Sequence, residues 1–192
     1  MPTSQLKRQN HAYHAAFCEE NIWHLCQQPS LQNSYVVFIV SKGEAFPMLN
    51  QQASEHPSIP IFWDYHVVLL LMPDEKQSEK KQIIDFDTSL EFCTDISTYF
   101  KESFLDARLL IEEEVPLFRL VPSKEYVELF SSDRSHMQSP TGWLAPPPKW
   151  PLIGNSATNL SGFIEARENA FGELLSYDEM LERFSSLGSD PQ

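Results

Sequence analysis

Cysteine is scarce in this sequence, which contains only Cys18, Cys26 and Cys93 among its 192 residues. An odd, low count without paired spacing does not build a disulfide framework. The sequence also has no C-x-x-C or H-x-x-x-H pair, so it indicates no zinc site. These absences favour a reducing cytosolic or nuclear setting, in which a free thiol stays reactive.

Basic residues and long apolar runs are scarce as well. The chain has 14 Lys and Arg against 27 Asp and Glu, a net charge of −13. Nucleic acid is not an expected partner, because binding it depends on basic side chains that neutralise phosphates. No membrane partner is expected either, since no apolar run approaches the roughly 20 residues that span a bilayer and residues 1–17 lack a signal-peptide core. The acidic surface suits a cationic ligand such as a peptide α-ammonium, or serves solubility alone.

Length and patterning predict one catalytic domain over residues 1–192, monomeric, with flexible segments at 1–12 and 187–192. The predicted fold class is α/β (α+β), with a helix first and an antiparallel hairpin second. Strands are predicted at 35–40, 61–72, 82–88 and 115–121, with a charged turn at 73–81. Helices are predicted from Cys18, at 97–110, after Ser123, and after Ser176, which forms a capping box with Glu179; residues 131–160 are expected to form a loop.

Cys18 is the candidate nucleophile. It begins the first predicted helix, where unpaired backbone N–H groups and the positive end of the helix dipole favour a thiolate. A cysteine on an apolar helix face also serves as core filler, and Cys26, two turns further along that face, fits this interpretation. Cys93 has no partner pattern.

His66 lies in the apolar segment WDYHVVLLL, where its ring needs a hydrogen-bond partner. The returning strand of the hairpin offers two acids on one face, Asp85 and Asp87. Pairing with Asp85 needs a turn centred near residues 75 and 76, and pairing with Asp87 needs one between 76 and 77. The periodicity leaves both open, and a structural His–Asp pair without a catalytic role is the alternative.

The order Cys, His, Asp is shared by papain-like and transglutaminase-like hydrolases. In that chemistry the sulfur attacks a carbonyl carbon, the imidazole carries the proton, and the carboxylate holds the imidazole in one tautomer. No metal or organic cofactor is needed. Many proteins contain these residue types in this order, so the strings around them carry more information than the order does.

Five short strings in the sequence are more specific. They are FCEENIW (17–23), WDYHVVLL (63–70), the D-x-D-T of 85–88, SDRSHM (132–137) and PPP (146–148). In this order, over roughly residues 17 to 185, they closely resemble the protein N-terminal glutamine amidohydrolases.

This resemblance implies a papain-like fold, with a mainly antiparallel β-sheet flanked by helices, and a triad of Cys18, His66 and Asp85. It implies that the substrate is a protein or peptide with a free N-terminal glutamine, whose side-chain amide is hydrolysed to glutamate with release of ammonia. It also implies a place in the N-degron pathway, where the new N-terminal glutamate can be arginylated. The N-terminal arm, the loop 41–58 and the turn 73–81 follow no family pattern, which leaves substrate preference beyond the first residue open.

Recognition of a free α-ammonium calls for a desolvated carboxylate, because a charge-assisted hydrogen bond distinguishes it from an internal peptide N–H. The candidates are Glu19, Glu20 and Asp64, although the two glutamates also favour a helix N-terminus on their own. Trp23, Trp63 and Tyr65 are candidate walls for the glutamine side chain, with core packing as the alternative for each.

The polar SDRSHM string is expected to shape or brace the site through Asp133 and His136, and no apolar strand holds His136 as a rival base. Three rival functions remain: a papain-like protease, a transglutaminase, and a non-catalytic module that binds N-terminal residues. The complete set of Cys, His and Asp argues against the binding module, which has no use for a nucleophile.

Overall fold

The computed structural model describes residues 6–72, 81–167 and 170–184. Strands within these ranges form a main sheet of six strands, in which all neighbouring pairs are antiparallel. In spatial order they are β10 (Glu173–Leu175), β7 (Leu117–Pro122), β1 (Ser34–Val40), β4 (His66–Leu71), β5 (Gln82–Ile84) and β6 (Cys93–Asp95). Across the described ranges, no helix has the length and apolar character needed to cross a bilayer.

Helices cover both faces of the main sheet. They are α1 (Cys18–Cys26), α2 (Ile96–Ser103), α3 (Ser123–Leu129), α4 (Ser161–Ile164) and α5 (Tyr177–Phe184). Strand β1 is apolar along its length because both of its faces are covered. Val36 and Phe38 pack with side chains of α1, α3 and α4, whereas Val37 and Ile39 pack with those of α2 and α5. The predicted class, a mainly antiparallel sheet flanked by helices, is therefore confirmed.

The prediction of one long strand over 61–72 is wrong. β3 (Ile61–Trp63) pairs with β2 (Phe46–Met48) in a separate two-stranded sheet, and β4 begins only at His66. Between them the carboxylate of Asp64 accepts the N–H of Tyr65 at 3.0 Å, a local bond that competes with ladder pairing. His66 is consequently the first residue of its strand and not a residue in the middle of it.

The predicted antiparallel hairpin is confirmed, with Leu69 of β4 opposite Ile84 of β5. Residues 73–80 of its predicted charged turn lie outside the described residues. β5 ends at Ile84, before the predicted end at residue 88, because the carboxylate of Asp85 accepts the N–H of Asp87 at 2.8 Å. This bond closes a local turn in place of further ladder bonds.

The predicted helices from Cys18 and after Ser123 are confirmed as α1 and α3. The helix predicted at 97–110 is shorter, because α2 ends at Ser103 and a separate 3-10 turn follows at Ala107–Leu109. The capping box before α5 is confirmed as well: the N–H of Glu179 donates to Ser176 Oγ at 3.3 Å, and the N–H of Ser176 donates to Glu179 Oε2 at 2.8 Å.

The segment predicted as a loop at 131–160 contains a short hairpin of β8 (Gln138–Ser139) and β9 (Gly142–Trp143). An isolated bridge between Ser132 and Ile153 ties its two ends together. The remainder is irregular, in agreement with its proline content. This tie brings the SDRSHM and PPP strings into one neighbourhood.

The N-terminal arm is expected to be loose over 1–12. In its described part, Arg8 donates to the carbonyl of Thr88 at 2.6 Å, and the ring of His11 stacks on Phe92 with centroids 5.7 Å apart. The arm therefore contacts the chain that follows β5. Residues 1–5, and the segment 187–192 for which flexibility is also predicted, lie outside the described residues.

Candidate active site

The N-terminus of α1 carries Cys18 as its first residue. The residue before it, Phe17, is fully buried and has no side-chain group that could cap the helix, so the first backbone N–H groups keep no side-chain partner. The side chain of Cys18 is only 6% exposed. Its sulfur accepts the backbone N–H of Val67 and lies 3.7 Å from Glu19 Oε2, which accepts the thiol proton. The sulfur is thereby held against β4, beside the residue that follows His66.

The electrostatic surroundings of Cys18 oppose the expected thiolate. Burial, followed by the negative charges of Glu19 and Asp87, raises the pKa of the Cys18 thiol well above its ordinary value, and the N–H of Val67 offsets this only in part. In the free protein, desolvation and these carboxylates therefore favour the thiol over the thiolate, in opposition to the expectation from the helix N-terminus. The thiol must lose its proton to a nearby base before it can attack.

His66 and Asp85 form a fully buried pair, with His66 Nε2 donating to Asp85 Oδ1 at 2.9 Å. Asp85 also accepts the N–H of Asp87 at Oδ1 and the hydroxyl of Tyr99 at Oδ2, both at 2.8 Å. Three donors on one carboxylate stabilise its charged form. The ring of Trp63 stacks on the imidazole at a centroid distance of 4.9 Å and fixes its plane.

The second ring nitrogen of His66, Nδ1, is buried and has no hydrogen-bond partner within the described parts of the chain. With Nε2 donating to Asp85, the neutral ring carries its free lone pair on Nδ1. A base with an unoccupied lone pair therefore lies next to the strand position that holds the Cys18 sulfur.

The pKa values of the pair are shifted in opposite directions. Burial by itself lowers the pKa of His66, but the charge and hydrogen bond of Asp85, with a further contribution from Asp87, raise it above its ordinary value. Burial raises the pKa of Asp85, but His66, the N–H of Asp87 and the hydroxyl of Tyr99 outweigh it and lower that pKa. Asp85 is thus ionised when His66 takes up a proton, as a residue that orients and supports an imidazolium must be.

Asp87 lies beside this pair but not in it. Its Oδ1 accepts the hydroxyl of Tyr13 at 2.7 Å, and the Tyr13 ring stacks on Phe86 with centroids 5.7 Å apart. Burial is the largest cause of a raised pKa for Asp87, with the charge of Asp85 adding to it. Tyr13 stands in the N-terminal arm, 74 residues from its partner in sequence, so no local pattern could have identified it.

Glu20, a candidate for substrate recognition, is bound within the protein. Arg134 donates two hydrogen bonds to its carboxylate, from Nε to Oε1 at 2.9 Å and from Nη2 to Oε2 at 2.8 Å, and this bidentate pair is called the clamp below. Ser132 Oγ and Trp150 Nε1 donate to the same carboxylate. All of its oxygens therefore have partners, and Glu20 anchors the SDRSHM string to the first turn of α1.

Glu19 is fully buried next to the sulfur. The Tyr65 hydroxyl donates to its Oε2 at 3.1 Å, and His136 Nε2 lies 3.4 Å from its Oε1. Asp133 Oδ1 accepts the N–H and hydroxyl of Ser135, which holds the short 3-10 turn that carries His136. Asp133 thus fixes the turn that brings His136 close to Glu19, and the bracing role of these two residues stays a prediction.

The remaining candidates differ in exposure. Asp64 is exposed and its Oδ1 is used by the N–H of Tyr65, whereas Tyr65 itself is 8% exposed and turned toward Glu19. Trp63 is half-buried against His66, so one of the two aromatic walls lies at the imidazole. The side chains of Cys18, Tyr65 and His136 therefore lie around Glu19. Trp63 lies against His66 instead.

A metal ion is the other ligand that such a cluster could hold. One ligand atom from each of His66, Asp85 and Asp87 lies within 4.8 Å of the others. His66 Nε2 and Asp85 Oδ1 are already bonded to each other in the pair, so a cation at this position would have to break that bond. The donor set is better explained by proton chemistry than by metal ligation.

The five strings that the sequence singles out meet around the first turn of α1. The SDRSHM string contacts it through Arg134 and His136, and Arg134 Nη1 also donates to the carbonyl of Pro148 in the PPP string. The WDYHVVLL string contributes the N–H of Val67 to the sulfur, and its histidine reaches the aspartate of the D-x-D-T string. Residues far apart in sequence thus build one buried polar centre.

Known proteins are similar to this chain over most of its length. The sequence profile of the family described as N-terminal glutamine amidase matches residues 13–184. A protein of Bos taurus named protein N-terminal glutamine amidohydrolase is 38% identical over 184 residues, which are 91% of this chain and 87% of the relative. Proteins of the same name from Homo sapiens and Drosophila ananassae are both 36% identical, over 91% and 78% of this chain and over 88% and 74% of their own lengths.

Proposed function

The chain belongs to the N-terminal glutamine amidase family, and on that basis we propose that it hydrolyses the side-chain amide of an N-terminal glutamine to glutamate and releases ammonia. The observation that carries the proposal is the match to the family over residues 13–184. That matched range spans every residue of the polar centre, and relatives that carry the amidohydrolase name align with 91% of the chain. The substrate is a protein or peptide whose first residue is glutamine.

Cys18, His66 and Asp85 carry the reaction in this proposal. The buried thiol passes its proton to the unpartnered Nδ1 of His66, and the sulfur attacks the carbon of the glutamine carboxamide. The pKa of His66, raised by Asp85 against the opposing effect of burial, suits it to hold that proton. Asp85 stays ionised and keeps the ring in the required tautomer.

The tetrahedral intermediate then collapses. The imidazolium of His66 gives its proton to the nitrogen of the carboxamide, the C–N bond breaks, and ammonia leaves while a thioester to Cys18 remains. Water attacks the thioester as neutral His66 accepts one of its protons, the C–S bond breaks, and the sulfur recovers a proton. The products are an N-terminal glutamate and the free thiol, so the atoms balance without a cofactor.

Stabilisation of the oxyanion falls to the first turn of α1. Phe17 provides no capping side chain, which leaves the backbone N–H of Cys18 without a side-chain partner and available to a developing negative charge. The clamp of Arg134 on Glu20 holds this turn in place, because it fixes the second residue after the nucleophile.

We further assign the fold to the papain-like type. This is supported by a nucleophile at the N-terminus of a helix, a histidine at the start of β4 and an aspartate directly after β5, on an antiparallel sheet. We also place the reaction in the N-degron pathway, upstream of a step that recognises an N-terminal glutamate. Ammonia release is the chemical event that such a pathway would require here.

An ammonia assay with three peptides tests the proposed reaction: one that begins with glutamine, one that begins with asparagine, and one with glutamine only at an internal position. We expect ammonia from the first alone, and a peptide mass that rises by the difference between an acid and an amide. Cys18→Ala should abolish release with the fold retained, whereas the matched Cys93→Ala should keep it.

Other products would identify the rival functions. A shortened peptide would indicate a protease, and a covalent adduct with an added amine would indicate a transglutaminase. Binding of the glutamine peptide without release of ammonia would indicate a non-catalytic module that binds N-terminal residues. Loss of activity in Cys93→Ala and not in Cys18→Ala would overturn the assignment of the nucleophile.

A further inference from the structure

The proposed reaction requires that the site recognise the α-ammonium of the substrate, and this inference rests on that proposed function. The first residue of a chain differs from an internal glutamine by this cation. A carboxylate that is partly shielded from water binds an ammonium by charge-assisted hydrogen bonds. The recognising group must lie close to the sulfur, because only four single bonds separate the α-nitrogen from the carboxamide carbon, a span of about 5 Å.

Four of the five carboxylates around the centre are unsuited to this role. Glu20 is held by Arg134, Ser132 and Trp150, and Asp85 by three donors. Glu19 is fully buried: its Oε2 accepts the Tyr65 hydroxyl and faces the thiol, and its Oε1, which has no hydrogen-bond partner within the described chain, lies 3.4 Å from His136 Nε2. Asp64 is exposed and already accepts a backbone N–H, so water would screen its charge.

Asp87 differs from all four. It is half-buried, its carboxylate accepts a hydrogen bond from the neutral hydroxyl of Tyr13, and none of the ion pairs formed among the described residues includes it. A carboxylate oxygen of Asp87 lies within 4.8 Å of ligand atoms of His66 and Asp85. Its charge also reaches the Cys18 sulfur, where it follows burial and Glu19 as a cause of the raised thiol pKa.

We propose that Asp87 binds the α-ammonium of the N-terminal glutamine and so sets the specificity for a free chain terminus. The backbone at this position is rigid, because the N–H of Asp87 is bonded to Asp85 and its carbonyl accepts the N–H of Gln52 at 2.7 Å. Tyr13 positions the carboxylate by its hydrogen bond and by stacking on Phe86. The two aspartates of the D-x-D-T string thus divide the work: Asp85 serves the imidazole, and Asp87 serves the substrate.

The test compares two substrates that differ only in the α-amine: a glutamine-starting peptide and the same peptide with hydrogen in place of that amine. The measured quantity is the ratio of their kcat/KM values for ammonia release. Asp87→Asn keeps an oxygen for the Tyr13 hydroxyl and loses the charge, so the fold is retained. We expect this variant to lower the ratio by about 10–100-fold, mainly through KM of the free-amine peptide, because a charge-assisted bond becomes a neutral one.

Asp64→Asn is the matched control, since Asp64 also acts electrostatically on the sulfur but is exposed. It should keep the wild-type ratio, and Asp87→Glu, which retains the charge, should keep a larger ratio than Asp87→Asn. An unchanged ratio in Asp87→Asn, or a collapse of the ratio in Asp64→Asn, would overturn the assignment. Absence of ammonia from both peptides with the wild-type protein would instead refute the proposed reaction itself.

Discussion

His66 is hydrogen-bonded to Asp85 and not to Asp87, the residue that the strand register would place opposite it. Leu69 pairs with Ile84 and Leu71 with Gln82. If this register continued for three more residues beyond Leu69 and Ile84, it would set His66 against Asp87. The ladder stops at Ile84 instead, and Asp85 bonds diagonally across to the imidazole at 2.9 Å. The turn between the two aspartates therefore decides which of them supports the histidine.

The first prediction separates the two aspartates by their kinetics. Asp85→Asn should lower kcat for ammonia release by at least about 100-fold, because the amide can hold His66 in the wrong tautomer and cannot support its charge. Asp87→Asn should lose less kcat, since the His66–Asp85 pair stays intact. Saturation kinetics on a glutamine-starting peptide measure both. A greater loss of kcat in Asp87→Asn would reverse the roles given to the two residues.

A second prediction concerns the ionisation of the nucleophile. Burial and the nearby charges of Glu19 and Asp87 raise the pKa of Cys18 well above its ordinary value, so its alkylation by iodoacetamide in the free protein should keep accelerating through the alkaline range. Mass spectrometry resolves the modified cysteines, and Cys93, whose pKa is raised to about 11 by burial, is the internal comparison. A rate for Cys18 that levels off near neutral pH would reveal a preformed thiolate–imidazolium pair instead.

A third prediction uses the titration of His66. Its pKa is raised in the folded protein, although burial opposes the shift, because Asp85 and Asp87 favour the imidazolium. Ring resonances followed by NMR should therefore report a pKa above the ordinary value in the wild-type protein and a lower one in Asp85→Asn, where burial has less opposition. An unchanged His66 pKa in that variant would mean that the aspartate does not govern the ring.

The same shift has a consequence for stability. A raised folded pKa means that the native state holds the His66 proton more tightly than the unfolded chain does. The stabilisation is fully present below the ordinary histidine pKa and is lost as the pH rises through the raised folded value. Urea unfolding measured between these two pH values should show the free energy of unfolding decline as the pH rises. In His66→Gln this decline with pH should be smaller.

The last prediction concerns the clamp between Arg134 and Glu20. Arg134 is 5% exposed and adopts a left-handed backbone with φ of 61°. Its side chain donates to the buried carboxylate of Glu20. Arg134→Met should lower the free energy of unfolding by about 3–5 kcal/mol, because it leaves a buried charge unpaired. Arg108→Met, which removes an exposed ion pair with Asp106, should leave that free energy unchanged. Equal urea midpoints for the two variants would show that the clamp does not stabilise the fold.

Local chemistry was sufficient to predict several elements. The apolar spacing from Cys18, the β-branched run of β1, the hairpin of β4 and β5, and the capping box of Ser176 and Glu179 all appear in the structure. Each of these depends on residues close together in the chain, and side-chain periodicity and caps report such neighbours directly. The same periodicity could not detect the break at Asp64, because the residues on both sides of it are equally apolar.

The sequence by itself determined which residue types could form the centre and brought Cys18, His66 and two aspartates into consideration. Only the tertiary structure decided that Asp85 holds the imidazole, that Glu20 is bound by Arg134, and that burial raises the pKa of the Cys18 thiol. The reason is that each of these outcomes depends on burial and on partners distant along the chain, such as the 114 residues between Glu20 and Arg134. Desolvation and long-range hydrogen bonds are set by packing, and packing has no local signature in the order of residues.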